Sequence, residues 1–319
     1  MPAPEPARPA DSLPSALSRL PACWPHRAAS RWVQAGGLGW HVQIFEGQGR
    51  LQGEAARLPP GRDLVLLHGT GASAHSWRDI APSLAAGLSP GTRVIVPDLP
   101  GHAFTDRPGE EGLSLPGMAR LLGALLHALQ ARPGVLIGHS AGAAVAARMA
   151  LDDPQGLADV KTLISLNGAW LPPEGQGRWF YVPLARLFAL NPWVPHVFAL
   201  HAGRRGALER LIASTGSRLD ARGIDLYGRL VGDPRHVASV LAMMIAWDLR
   251  PLLRDLPRLA PTLHLVVAEG DRTVPVQASL EAARRQPRAM LHRLPGLGHL
   301  AHEEAPGLVA GLLQRLLDP

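Results

Sequence analysis

The sequence predicts an α/β protein, a doubly wound and mostly parallel sheet interrupted once by a helical insertion. Three observations predict it. Short continuous apolar runs at residues 64–67, 94–96, 135–137, 163–166 and 263–267 have the leucine and β-branched content of strands buried on both faces. Between them, residues 77–85, 115–130 and 141–151 carry apolar side chains at helical spacing, which gives a βαβ alternation. The alternation is suspended over residues 169–250, where mostly helical patterning lies between two strand candidates.

Residues 1–28 are rich in Pro and Ala and lack the basic start and unbroken apolar core of a signal peptide, so they are expected to be a loose N-terminal arm. Residues 31–35 and 40–45 alternate and flank Gly36-Gly37, which predicts a hairpin. The core is expected over 29–168 and 251–319, closed by a last strand at 290–294, with 169–250 as a helical lid. The lid holds nine of the fifteen aromatic residues and ten arginines against six acids, which makes it a candidate binding surface as well as a packing layer. The most apolar stretch, residues 179–202, is broken by Pro183, Pro192, Pro195 and Arg186, so no transmembrane segment is expected. A cytoplasmic protein is the expectation, with attachment of 179–202 to a membrane surface as the weaker reading.

Composition excludes several classes. A chain with 46% hydrophobic and 18% charged residues is globular rather than disordered. Its one cysteine, Cys23, cannot form an internal disulfide. The net charge of +6 is modest, Lys161 is the sole lysine, and no basic run exceeds two residues, so nucleic acid is not an expected partner. No G-x-G-x-x-G follows a strand, and there is neither a Walker loop nor an H-E-x-x-H motif, so no cofactor and no metal are expected.

The chemistry concentrates in four loops. Gly138-His139-Ser140-Ala141-Gly142 fits G-x-S-x-G between a predicted strand and a predicted alanine-rich helix, the context of a strand–turn–helix elbow that lifts a nucleophilic serine out of the sheet. His68-Gly69-Thr70-Gly71 follows the first apolar run and is placed to supply an oxyanion-hole N–H from Thr70, the second coming from Ala141. A serine hydroxyl needs a base, and His299, in a glycine-rich loop after the last strand, is the candidate; His302 is the lesser one. Asp271, directly after the strand at 263–267, is the candidate acid, with Glu269 and Asp248 as poorer alternatives; Asn167 and Gly168 occupy the loop after the preceding strand. The order Ser140, Asp271, His299 is the order this fold requires. Residues 97–102, Pro-Asp-Leu-Pro-Gly-His, read as a structural turn near the site mouth.

These motifs resemble the α/β-hydrolase superfamily from about residue 31 to the end. A closer set is similar to the magnesium-chelatase accessory branch of bacteriochlorophyll biosynthesis: His68-Gly69-Thr70-Gly71-Ala72 with His75-Ser76-Trp77-Arg78, Leu166-Asn167-Gly168-Ala169, Ala242-Met243-Met244 with Trp247-Asp248-Leu249, and the run from Leu294 through His299 to Glu304. Ala103 departs from the superfamily's common Gly-His-Gly.

The resemblance implies a role at or near magnesium insertion into protoporphyrin IX, with chelatase subunits as candidate partners, while the motifs themselves read as a serine hydrolase of a small-molecule substrate for which a porphyrin is one candidate. A non-catalytic tetrapyrrole-binding role or a generic carboxylesterase are the alternatives. For a flat ligand with propionates, Trp179 and Trp193 could stack and Arg178, Arg186 or Arg204 could pair with carboxylates.

Overall fold

The computed structural model describes residues 20–49, 61–171 and 205–317. Eight strands form one sheet: β1 (Ser30–Ala35), β2 (Leu38–Glu46), β3 (Asp63–Leu67), β4 (Arg93–Pro97), β5 (Pro133–His139), β6 (Thr162–Leu166), β7 (Thr262–Ala268) and β8 (Met290–Leu294). Their spatial order is β1-β2-β4-β3-β5-β6-β7-β8. The hairpin β1–β2 and the pair β2–β4 are antiparallel, and the other pairs are parallel. Every strand run named from the sequence is present, with β2 and β5 longer than expected.

The apolar runs work as double-sided strands. Val65 and Leu67 of β3 pack with one layer of the core, Leu64 and Leu66 with the other. The first layer is covered by α2 (Leu115–Ala128) and α3 (Ala141–Asp152), the second by α1 (Ile80–Gly87) and a C-terminal helix. Ser114 caps α2, its hydroxyl accepting from the Gly117 N–H at 3.2 Å. Alanines 143, 144, 146 and 147 on α3 are fully buried and let that helix lie close on the sheet.

Between β6 and β7 the described residues form α4 (Arg205–Ser214), α5 (Ala221–Val231), α6 (Pro234–Ala246) and α7 (Arg250–Asp255). After β7 come α8 (Val276–Arg285), α9 (Ala301–Glu304) and α10 (Pro306–Leu317). Among the described residues no single helix is long and apolar enough to cross a membrane.

The N-terminal segment departs from its expectation. From residue 20 it packs rather than trailing free: Leu20 and Trp24 are buried against Leu226 and Leu230 of α5, and Trp24 meets Phe104 edge-on at 4.8 Å. Gln43 donates to the Pro25 carbonyl at 2.7 Å and anchors the segment to β2. Burying a large apolar side chain is worth about 1.5–3 kcal/mol, enough to hold a Pro-rich strap that has no periodic pattern.

Asp98, at the end of β4, is the polar hub of the sheet edge. It is fully buried and accepts from the Ala74 N–H at 2.7 Å, from His41 Nδ1 at 2.8 Å and from the Phe104 N–H at 3.3 Å. Burial works against its charge, but His41, His68 and the Ala74 N–H together outweigh it and hold the carboxyl below its ordinary value. This is the physical content of the turn read at residues 97–102. Asp98→Ala is expected to lower the unfolding free energy by roughly 3–5 kcal/mol in chemical denaturation, because it strands buried partners.

Candidate active site

The elbow is built as the motif predicts. Ser140 has φ 50° and ψ −116°, a conformation an L-residue holds only under constraint, and it directly precedes α3. Close packing makes both flanking glycines necessary: a Cβ at Gly138 would lie 2.3 Å from the Ala143 nitrogen, and one at Gly142 2.3 Å from the Leu67 carbonyl oxygen. The Ser140 N–H donates to the Leu166 carbonyl at 3.0 Å, and its own carbonyl accepts from the Ala169 N–H at 3.0 Å. The turn is thus fastened to the end of β6.

The loop after β3 comes up beside it. A Cβ at Gly69 would stand 3.0 Å from the Ser140 Cβ. His68 sets this loop. Its Nε2 accepts from the Leu99 N–H at 2.9 Å, so Nδ1 carries the proton and donates to the Gly69 carbonyl at 2.8 Å. Burial, then His102, lowers its pKa to about 3, so the ring stays neutral and the tautomer is fixed. The Gly69 carbonyl and the Thr70 N–H belong to one planar trans peptide and point oppositely. Holding the carbonyl on His68 therefore aims the Thr70 N–H the other way.

Asp271 and His299 meet. His299 Nδ1 lies 2.7 Å from Asp271 Oδ2, with both side chains almost fully buried. The other carboxylate oxygen, Oδ1, accepts the N–H groups of Thr273 at 2.7 Å and Val274 at 2.9 Å. One carboxylate is thereby split between fixing its own loop and fixing the imidazole. The parallel pairing of Ala268 with Leu294 ends β7 and β8 at the same sheet edge, which brings the two loops together.

The alternatives are engaged elsewhere. Glu269 pairs with Arg293 at 3.0 Å and Asp248 with Arg250 at 2.8 Å. His302 is fully buried between Trp77 and His139, with ring centroids 4.7 and 4.4 Å away. Glu303 is taken by Arg78 and by the Tyr227 hydroxyl at 2.8 Å. Of the lid aromatics, Trp170 is fully buried and Trp247 donates to the Leu113 carbonyl at 3.1 Å, so these act in packing. Trp179, Trp193, Arg178, Arg186 and Arg204 lie outside the described residues. Ala103 takes φ 45°, a left-handed backbone that costs roughly 1–2 kcal/mol without glycine, and its N–H donates to His236 Nδ1 at 3.0 Å.

Asn167, which the sequence offers only as a non-acid and as part of a family motif, has a positioning role in the site that the sequence does not assign. Its amide nitrogen donates to the carbonyls of His299 at 2.9 Å and Gly298 at 3.3 Å, while its oxygen accepts from the Ala268 N–H at 2.7 Å. His139 Nε2 donates to the same His299 carbonyl at 2.9 Å. Asn167 has φ 47°, and asparagine tolerates the left-handed region, which was the one local signal available. Two donors from β5 and β6 thus hold the backbone of the candidate base.

Comparison with known proteins agrees with this fold. The profile described as "Alpha/beta hydrolase family" matches residues 64–312. The chain is 38% identical over 299 residues to the magnesium-chelatase 30 kDa subunit of Rhodobacter capsulatus, covering 94% of this chain and 98% of that one. It is 28% identical over 263 residues to the 2-hydroxy-6-oxo-6-phenylhexa-2,4-dienoate hydrolase of Burkholderia cepacia, covering 76% and 83%. Among solved structures, an alpha/beta hydrolase fold protein from Burkholderia ambifaria superposes with TM-score 0.69 at 24% identity, covering 90% of this chain and 97% of that one. An esterase from Exiguobacterium antarcticum superposes with TM-score 0.68 at 17% identity, covering 90% and 98%. At these identities the structural likeness speaks for the fold.

Asn167→Ala removes two carbonyl contacts and leaves the buried Ala268 N–H without its acceptor. It is expected to cost about 1–3 kcal/mol of stability, measured by urea denaturation.

Proposed function

The chain belongs to the α/β hydrolase family, and from that premise we propose that it is a serine hydrolase acting at the magnesium-insertion step of bacteriochlorophyll synthesis. The observation that carries the chemistry is the 2.7 Å contact between His299 Nδ1 and Asp271 Oδ2, with the His299 ring 4.7 Å from that of His139, the residue before the strained Ser140. With Nδ1–H donated to Asp271, the proton-free nitrogen of a neutral His299 is Nε2, the correct tautomer for a general base.

In the proposed step Ser140 Oγ attacks the carbonyl carbon of an ester-like substrate as His299 Nε2 takes the hydroxyl proton. The carbonyl electron pair moves to oxygen, and the N–H groups of Thr70 and Ala141 receive that charge. The partial positive charge at the start of α3 favours the same oxyanion. Collapse breaks the bond to the leaving alkoxide, which receives the proton from His299. Water then repeats the sequence on the acyl-serine and restores the enzyme. Asp271 stays ionised and stabilises the imidazolium.

The place in metabolism rests on the name of the Rhodobacter capsulatus relative and on its near full-length match. A tetrapyrrole ester or carboxylate is accordingly the proposed ligand class, with chelatase subunits as proposed partners. The same name favours a second reading, a tetrapyrrole-binding accessory protein without turnover.

Incubation with a fluorophosphonate followed by intact-mass measurement is expected to give one adduct per chain in the wild type and none in Ser140→Ala. Asp271→Asn is expected to lower turnover of any ester substrate on the order of 10⁴-fold, read as kcat/KM. Absence of labelling, together with a Soret shift on titration with protoporphyrin IX, would favour the binding role. Labelling without a Soret shift would point to a generic carboxylesterase.

A further inference from the structure

We infer that the turn Thr215-Gly216-Ser217, at the end of α4 in the inserted segment, is a positioning element for His299 and Asp271. The inference rests on the serine-hydrolase reading. The loops that carry Asp271 and His299 extend beyond the sheet, so their backbone N–H groups need acceptors from outside it.

The turn supplies two, which take three N–H groups between them. The Thr215 carbonyl accepts from the Arg272 N–H at 3.1 Å and from the His299 N–H at 3.3 Å. One oxygen thereby bridges the residue after the acid and the histidine itself. Ser217, almost fully buried, accepts from the Leu300 N–H through Oγ at 2.8 Å.

The fit is backbone against backbone. Gly216 has φ +86°, and a Cβ there would lie 2.0 Å from the Gly270 carbonyl oxygen. A Cβ at Gly298 would lie 2.3 Å from the Gly216 carbonyl carbon and 2.4 Å from Ser217 Oγ. Glycine at both positions is what allows the turn to seat directly on the acid and histidine loops, with no flexible side chain between.

His299 is therefore held from two sides. Asn167 and His139 grip its carbonyl from the sheet, and the inserted turn grips its N–H and that of Leu300. With Nδ1 on Asp271, little freedom remains in where Nε2 points. The contacts from the sheet are built into the core. Those from the turn belong to a segment inserted between β6 and β7, so a ligand or partner that displaces that segment displaces the base as well. Ser217 and Gly216 act through His299 and do not touch substrate.

The test compares wild type, Ser217→Ala, Ser217→Thr and Gly216→Ala, with the exposed Arg222→Ala as control. Two quantities are read: the second-order rate constant for phosphonylation of Ser140 by a small fluorophosphonate, and the downfield proton resonance of the His299 Nδ1–H. Ser217→Ala is expected to slow phosphonylation about 10- to 100-fold, the range that a small misplacement of a catalytic group produces, and to shift or broaden the resonance. Ser217→Thr keeps the acceptor and should recover rate and resonance relative to Ser217→Ala, while Arg222→Ala should match wild type. Gly216→Ala should lose both signals, and circular dichroism shows whether it remains folded. A Ser217→Ala protein that reacts within twofold of wild type with an unchanged resonance overturns the inference. If the wild type itself does not react, the hydrolase reading fails. The resonance then decides the positioning alone: a shift in Ser217→Ala upholds it and no shift overturns it.

Discussion

The contact of His299 Nδ1 with Asp271 Oδ2, at 2.7 Å, is the constraint on which the rest of the site depends. It requires two loops from adjacent parallel strands to end together, and the register of β7 on β8 provides that. It requires the imidazole backbone to be fixed, and Asn167 and His139 reach it from β6 and β5. It also requires the serine to rise at the same sheet edge, which the pairing of His139 with Leu166 and the elbow after β5 achieve. In an open α/β sheet the strand ends are where loops converge, so the chemistry is a consequence of topology as much as of residue type.

The chain carries fourteen histidines, and much of the site's rigidity comes from those that keep their rings neutral. Burial drives His68, His102 and His302 to about 3 and His236 to about 4. A neutral imidazole donates at one nitrogen and accepts at the other, which suits it to bridge two backbone segments. His68 does this between the Leu99 N–H and the Gly69 carbonyl. His236 does it between the Ala103 N–H and the Gly71 carbonyl, tying α6 to the loop after β3. Among the described residues, His68 and His236 thus build a scaffold around the one proposed base.

Much of this was legible in the sequence, for physical reasons that differ by residue. The buried strands read as apolar runs because both faces of a parallel sheet are covered. The Ser140 turn was legible because G-x-S-x-G is a local signal, and the meeting of Asp271 with His299 because each loop directly follows a strand; the catalytic roles of the three belong to the proposal. The roles of Asn167 and Ser217 were not legible, since each works through contacts to residues 83 or more positions away. Packing of residues 20–28 was missed because Leu20 and Trp24 are held by an inserted helix more than 200 residues on, with no periodicity to mark them. The aromatic and basic lid residues chosen for ligand contact lie outside the described residues, and the described lid tryptophans, Trp170 and Trp247, serve packing.

The most direct test of the central claim is rapid mixing with a series of p-nitrophenyl esters, combined with acid quench and mass measurement. The account predicts a burst of nitrophenol and one acyl group on Ser140 in the wild type. Both should vanish in Ser140→Ala, and the burst rate should collapse in His299→Ala. Hydrolysis that proceeds equally in Ser140→Ala, or no acylation of the wild type by any ester in the series, would contradict it.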